Sequence, residues 1–248
     1  MNFQKRKQSI LLQLTTSGEA DIKTLALALQ VSEITIRRDL NQLASDGLLL
    51  RTHGGAIKVE PPNPPFPFAT KAAVNTKAKE AIARRAAAGI KDGDILFLDC
   101  GSTVFHLCPF IKNRKIQVIT NSIPVVHALA NGAVSINIIG GELDPDRQAV
   151  HGRIAEDHIG RYAADKAFLG IDGISAKGLF ANSEKEASLT TALAAHSKAT
   201  WLLCDSSKIG RETYLRFAGL DLIDNLITDA PAAACHFLKK TGITVIQA

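Results

Sequence analysis

At 248 residues with 46% hydrophobic side chains, the chain can bury a substantial core, which predicts a globular protein of one large or two modest domains. The net charge of +5 permits a polyanionic partner without requiring one, and residues 1–60 hold eight Lys or Arg against six acids, so nucleic-acid binding has to be argued from where charges sit. Four cysteines, at 100, 108, 204 and 235, lack both CxxC spacing and the density of a disulfide scaffold, which predicts reduced thiols and a cytoplasmic protein. His106 and Cys108 lie two positions apart and His151 and His158 seven, but neither pair has a matching second pair. No metal is expected from that spacing. The opening "MNFQKRKQS" has no apolar leader, and no run approaches the roughly 18 apolar residues of a membrane span.

Three amphipathic helices come first. Ile10, Leu11 and Leu14 recur at helical spacing, as do Ile22, Leu25, Ala26 and Leu29. After "QVS", where Ser32 can cap the next helix, the stretch "EITIRRDLNQLA" places Ile36, Leu40 and Leu43 on one stripe, with residues spaced about 100° apart. Arg38 points away from that stripe; Ile34, Asn41 and Ser45 share its outer face, Thr35, Arg37 and Gln42 flank it, and Asp39 falls nearer the buried side. Leu48 to Thr52 and Ala56 to Val59 flank "HGG" like the arms of a hairpin, whose glycines are expected to supply positive φ angles.

Three helices and a hairpin within 60 residues predict a winged helix-turn-helix over 1–59, with its third helix in the major groove of double-stranded DNA. Arg38 and Asn41 are placed for base edges and Ile34 for a thymine methyl. Ser32, Thr35, Arg37 and Gln42 are placed at the helix start and flanks, and Arg51, His53, Gly54 and Gly55 form a wing that can approach the backbone. A solvated amphipathic helix is the plainer reading of the arginine pair; the surrounding pattern favours DNA.

In "EPPNPPFPF" five of nine residues are proline, which predicts an extended connector over 60–70. Beyond it, "DILFLD", "IQVIT", "SINIIGG", "KAFLGID", "TWLLCD", "DNLIT" and "ITVIQ" read as buried strands alternating with helices such as "TKAKEAIARRAAAGI". An α/β domain with a mainly parallel sheet is expected over 71–248, with its ligand beyond the carboxyl ends of the strands.

Polar residues gather at those ends. "DCGST" offers Asp99, Gly101, Ser102 and Thr103 at a helix start suited to an anion; "VITNS" adds Asn121 and Ser122, "IIGG" adds Gly140 and Gly141, and "GIDG" and "CDSSKIG" add Asp172 and Lys208, with Glu186 between. Any one of these can be an ordinary cap or turn, but together they predict a polar, phosphate-accepting pocket. Asp99, Asp172, Glu186 and Lys208 could serve an enzyme by residue type. GxGxxG, GxxxxGK[ST] and GxSxG are all absent, and nothing in the spacing compels catalysis or a cofactor.

Arg6, Ile10, Leu14, Ser32, Thr35, Arg37, Arg38, Asp39 and Leu40, followed by "RTHGGA", resemble the N-terminal signature of the DeoR family of bacterial transcriptional regulators. "DGDILFLDCGST", "VITNS", "IIGG", "ADKAFLGIDGI" and "LLCDSSKIGR" are similar to the family's sensor domain. The resemblance implies a repressor whose sensor shares the ribose-5-phosphate isomerase fold and binds a phosphorylated sugar or similar metabolite. Three positions depart. Asp144 stands near where many members have Arg, with Arg147 later; Thr190 stands where E-x-x-V-K would put Lys, pointing to an effector of lower charge; and "DGIS" lacks the acids that follow "DGA" in the isomerases, pointing to lost enzyme activity. The expectation is a carbohydrate-operon repressor acting as a homodimer or higher oligomer on paired half-sites. The alternatives are a sugar-phosphate isomerase with an accessory module, or a protein-interaction adaptor.

Overall fold

The computed structural model describes residues 3–45, 48–58, 68–239 and 241–248. Contacts divide the chain into two units, residues 1–64 and 65–248, each with its own core. No described helix is long and apolar enough to cross a membrane.

The first unit runs α1 (Phe3–Ser17), β1 (Glu19–Asp21), α2 (Ile22–Leu29), α3 (Glu33–Ser45), β2 (Leu49–Arg51) and β3 (Gly55–Lys58). The three predicted stripes meet in one core, where Ile10, Leu14, Ile22, Leu25, Ile36, Leu40 and Leu43 are buried. Asp21 caps α2 by accepting from the Thr24 N–H at 3.0 Å, Gln30 ends it in the left-handed region, and the Ser32 hydroxyl accepts from the Thr35 N–H at 3.3 Å to start α3. Arg6 forks onto buried Asp39 at 2.5 and 3.0 Å, tying α1 to α3.

The wing departs from expectation in two ways. It has three strands in the order β1-β3-β2, because Glu19–Asp21, between the first two helices, pairs with Gly55–Ile57. Neither Gly54 nor Gly55 takes a positive φ. Gly55 is required for another reason: a Cβ there would sit 2.0 Å from the Ala20 carbonyl oxygen. The expected arm residue Val59 lies outside the described residues, as does the connector up to position 67. Residues 68–70, expected to end that connector, instead open helix α4 (Phe68–Ala73), where buried Phe68 stacks edge-on against Phe105 at 5.3 Å.

From there the second unit continues with α5 (Thr76–Ala87), β4 (Ile95–Leu98), α6 (Ser102–Phe105), α7 (Cys108–Ile111), β5 (Gln117–Thr120), α8 (Ile123–Leu129) and β6 (Ser135–Ile138). A hairpin of β7 (Glu142–Asp144) and β8 (Ala149–His151) leads to α9 (Arg153–Ile159) and β9 (Lys166–Leu169). The chain then adds β10 (Gly173–Ser175), β11 (Gly178–Ala181), α10 (Glu184–Ala195), β12 (Thr200–Leu203), β13 (Leu215–Ala218), β14 (Asn225–Thr228) and β15 (Thr244–Gln247).

The seven expected strands form one parallel sheet in the order β15-β14-β12-β9-β4-β5-β6. Their side chains alternate between two cores. Phe97, Ala167, Leu169, Leu202 and Leu226 face α9 and α10, while Leu96, Leu98, Val118, Phe168 and Leu203 face α5 to α8. The antiparallel β7-β8 pair and β10-β11-β13 sheet were not foreseen. From β4 the chain builds outward through β5 and β6, then returns to place β9 on the other side of β4. That reversal opens a crevice at the carboxyl ends of β4 and β9.

Candidate functional site

In the first unit, the outer face of α3 carries Ile34, which is 79% exposed, beside exposed Arg37, Arg38, Asn41 and Gln42. Ile34, Thr35, Arg38 and Gln42 share one shallow hollow with Phe3 and Arg6. Thr35 is occupied with Ser32, their hydroxyls 2.9 Å apart, and Arg37 lies 3.6 Å from Glu33. The Arg51 Nε donates to the Asn41 side-chain oxygen at 3.0 Å, and its guanidinium also donates to the Gly55 carbonyl. Arg51 therefore joins α3 to the wing. His53 and Gly54 are exposed at the wing tip, whereas Gly55 is buried.

In the second unit, the crevice holds two adjoining hollows. The inner one, about 70 Å³, is lined by Asp99, Gly101, Ser102, Thr103, Asp172, Glu186 and Lys208 from the expected set, and by Lys71, Arg147 and Thr190. The outer one, about 300 Å³, shares Lys71, Ser102, Asp172 and Lys208 and adds Asn75, Lys79, Asp205 and Arg211. Only the outer hollow reaches the lower limit usual for small-molecule sites.

Its charges are arranged in pairs. Lys71 donates to Asp172 at 3.1 Å, and Arg147 meets Glu186 at 2.9 Å. Buried Lys79 donates to the Ser102 hydroxyl at 3.0 Å and to the Lys71 carbonyl. Asp99 accepts from the Cys100 N–H at 2.6 Å and the Gly170 N–H at 3.0 Å, across a contact so close that a Cβ on Gly101 would lie 3.0 Å from the Gly170 Cα.

Burial pushes the Asp99 carboxyl above its ordinary range despite those N–H donors. It also drives Glu186 up to about 7, with Arg147 pulling back only in part. At Asp172 burial acts upward too, but the charge and hydrogen bond of Lys71 outweigh it and hold the carboxyl below its usual value. Burial lowers the Lys79 ammonium, against the opposing pull of Asp205.

Four expected residues lie elsewhere. Ser122 is fully buried and caps α8, accepting from the Val125 N–H at 3.4 Å. Asn121 is fully buried and donates to the Val150 carbonyl at 3.1 Å, because the β7-β8 hairpin covers the end of β5. The Gly140 N–H donates to His158 Nδ1 at 3.1 Å, and Gly141, at φ +149°, is held against β8. None of the four is among the residues lining either hollow. Conversely, Lys79 lies unremarked in what reads as plain helix, Lys71 falls directly after the expected connector, and Arg147 sits in an irregular turn. Arg147 offers a guanidinium in the same hollow as the neutral Thr190.

Comparison with known proteins gives matches along the chain. Residues 6–61 match the DeoR-like helix-turn-helix domain and residues 74–230 the DeoR C terminal sensor domain. The lactose phosphotransferase system repressor of Lactococcus lactis subsp. lactis is 34% identical, covering 99% of this chain and 98% of its own. The glycerol-3-phosphate regulon repressor of Escherichia coli (strain K12) is 32% identical, covering 93% and 92%. A ribose 5-phosphate isomerase A from Methanocaldococcus jannaschii superposes with a TM-score of 0.40 at 17% identity over 54% of each chain. With both halves matched and relatives aligned over nearly their whole length, the chain belongs to the DeoR family of transcriptional regulators.

Proposed function

We propose that the protein is a DNA-binding repressor of a carbohydrate-utilisation operon, and that a phosphorylated sugar or similar metabolite in its C-terminal cavity alters its hold on DNA. The observation that carries the DNA half is the outer face of α3, where Ile34 stands 79% exposed beside exposed Arg38 on a helix whose other side is fully packed. An apolar side chain flanked by guanidinium and amide groups suits a thymine methyl next to a guanine. Lys71, Lys208 and Arg211 supply charge for an anionic group, while Asp99 and Asp172 can accept from hydroxyls, a combination that fits a sugar phosphate. The printed names of the relatives, a lactose phosphotransferase repressor and a glycerol-3-phosphate regulon repressor, support the same class.

Regulation, not turnover, fits the carboxylates best. Asp172 is held by Lys71 and Asp99 by two backbone N–H groups, so neither is poised as a free base, and Glu186, the carboxyl that burial lifts to about 7, is occupied by Arg147 at 2.9 Å. One small reading head buries limited area on DNA, which supports a homodimer or higher oligomer on paired half-sites.

The test is fluorescence anisotropy with DNA from around its own gene, at two salt concentrations, with and without a panel of sugar phosphates. Binding should weaken steeply as salt rises, and one metabolite should change the affinity by about tenfold or more. Arg38→Ala should lose roughly 1–3 kcal/mol of discrimination at one base position. Equal affinity for this DNA and for random DNA would end the reading and send attention to an isomerase assay.

A further inference from the structure

Behind the inner hollow lies a polar cluster that anion binding does not use. Cys100 follows β4, His151 closes β8 and Glu186 stands in the first turn of α10. The Cys100 Sγ is 4.0 Å from His151 Nε2, and the ligand-type atoms of the three residues all lie within 4.8 Å of one another. Tetrahedral bonds of about 2.0–2.3 Å would place such atoms roughly 3.3–3.8 Å apart, so closing around an ion takes side-chain shifts on the order of 1 Å.

A second observation points the same way. His151 is 2% exposed, and its Nδ1 has no hydrogen-bond partner. The Asn121 side chain, which lies beside the Cys100 thiol, likewise has a buried Oδ1 without a partner. These are two of the three buried side-chain atoms left without partners among the described residues. Buried polar atoms are costly when unsatisfied, and the two residues that carry these, His151 and Asn121, both flank the Cys100 thiol.

We propose that Cys100, His151 and Glu186 bind one divalent zinc-class ion, with a fourth coordination position open to the inner hollow. Thiolate, imidazole and carboxylate together favour zinc over the hard cations. Arg147 engages one oxygen of Glu186 at 2.9 Å, fixing that carboxylate while its other oxygen stays available. The thiolate formed on binding and the adjacent Asp99 offset the repulsion between Arg147 and the ion. On binding, the Cys100 proton and any proton on Glu186 pass to the buffer. Since Cys100 and Glu186 both line the hollow, the open position meets whatever occupies it, first water and then a hydroxyl or carboxylate oxygen. The neutral Thr190, one turn from Glu186 on α10, leaves room for the ion as a source of positive charge. Local spacing hid the site because its ligands come from three separate elements.

The experiment uses full-length protein stripped with a chelator and titrated anaerobically with Co²⁺ as the optical stand-in for Zn²⁺. One equivalent per chain should give tetrahedral ligand-field bands and a thiolate-to-cobalt band, and Zn²⁺ should bleach both. Cys100→Ser, nearly isosteric, should abolish the thiolate band; His151→Gln should weaken uptake by about tenfold or more; and Cys108→Ser, a buried thiol elsewhere, should leave the spectrum unchanged. Circular dichroism would establish that each variant is folded. No stoichiometric uptake by folded protein, or a thiolate band surviving in Cys100→Ser, overturns the proposal. DNA binding measured on the same samples separates failure of this inference from failure of the repressor reading.

Discussion

At the scale of single residues, the cavity is organised by pairs whose strength depends on burial. The Lys71–Asp172 pair, 3.1 Å apart with side-chain exposures of 27% and 10%, is protected enough to matter. Asp172 titrates below its ordinary 3.8 in the folded state. The stability it contributes is therefore fully present above about pH 3.8 and is lost as pH falls through the lower folded value. Lys71→Met removes the partner that holds the carboxyl down, and should cost roughly 1–3 kcal/mol at neutral pH, with the gap from wild type closing in acid. Urea denaturation of both proteins at pH 7 and across the acid range checks this; a gap that does not change with pH would mean that Lys71 acts through packing alone. Residues following predicted strands, such as Asp99, Ser102 and Asp172, were legible because parallel sheets present ligand groups at strand ends. Lys71, Arg147 and His151 were not, since long-range folding, not local pattern, brings them in.

At the scale of elements, legibility followed burial on two faces. The seven parallel strands stood out as unbroken apolar runs because each packs against helices above and below. β1, with the sequence EAD and only Ala20 buried, carries no such run and gives no strand signal. It nevertheless controls the wing, because β3 pairs with it at the position where Gly55 passes the Ala20 carbonyl. Gly55→Ala must push these strands apart, with an expected cost of roughly 1–3 kcal/mol, and should weaken DNA binding by shifting the wing away from α3. Thermal denaturation with anisotropy on the same variant tests both effects; undiminished stability would show that the strands separate freely. The Arg51 link to Asn41 ties that movement to the helix itself.

At the scale of the whole molecule, the two units are packed separately. Leu40 and Leu202 are both fully buried, one in each unit. Leu40→Ala should lower the stability of the first unit, and Leu202→Ala that of the second, each by about 2–5 kcal/mol and each moving only its own transition in calorimetry. If either substitution moved both transitions equally, the two units would be thermodynamically one. Strand order carries a further consequence, for synthesis. The first core is complete by residue 58, whereas β4, at residues 95–98, must wait for residues 166–169 before its partner on one side exists. The pairing of β14 with β15 waits until residue 247. On the ribosome, the first unit is therefore able to complete its core while the seven-stranded sheet of the second is still open, so the order of synthesis lets the two units fold one after the other.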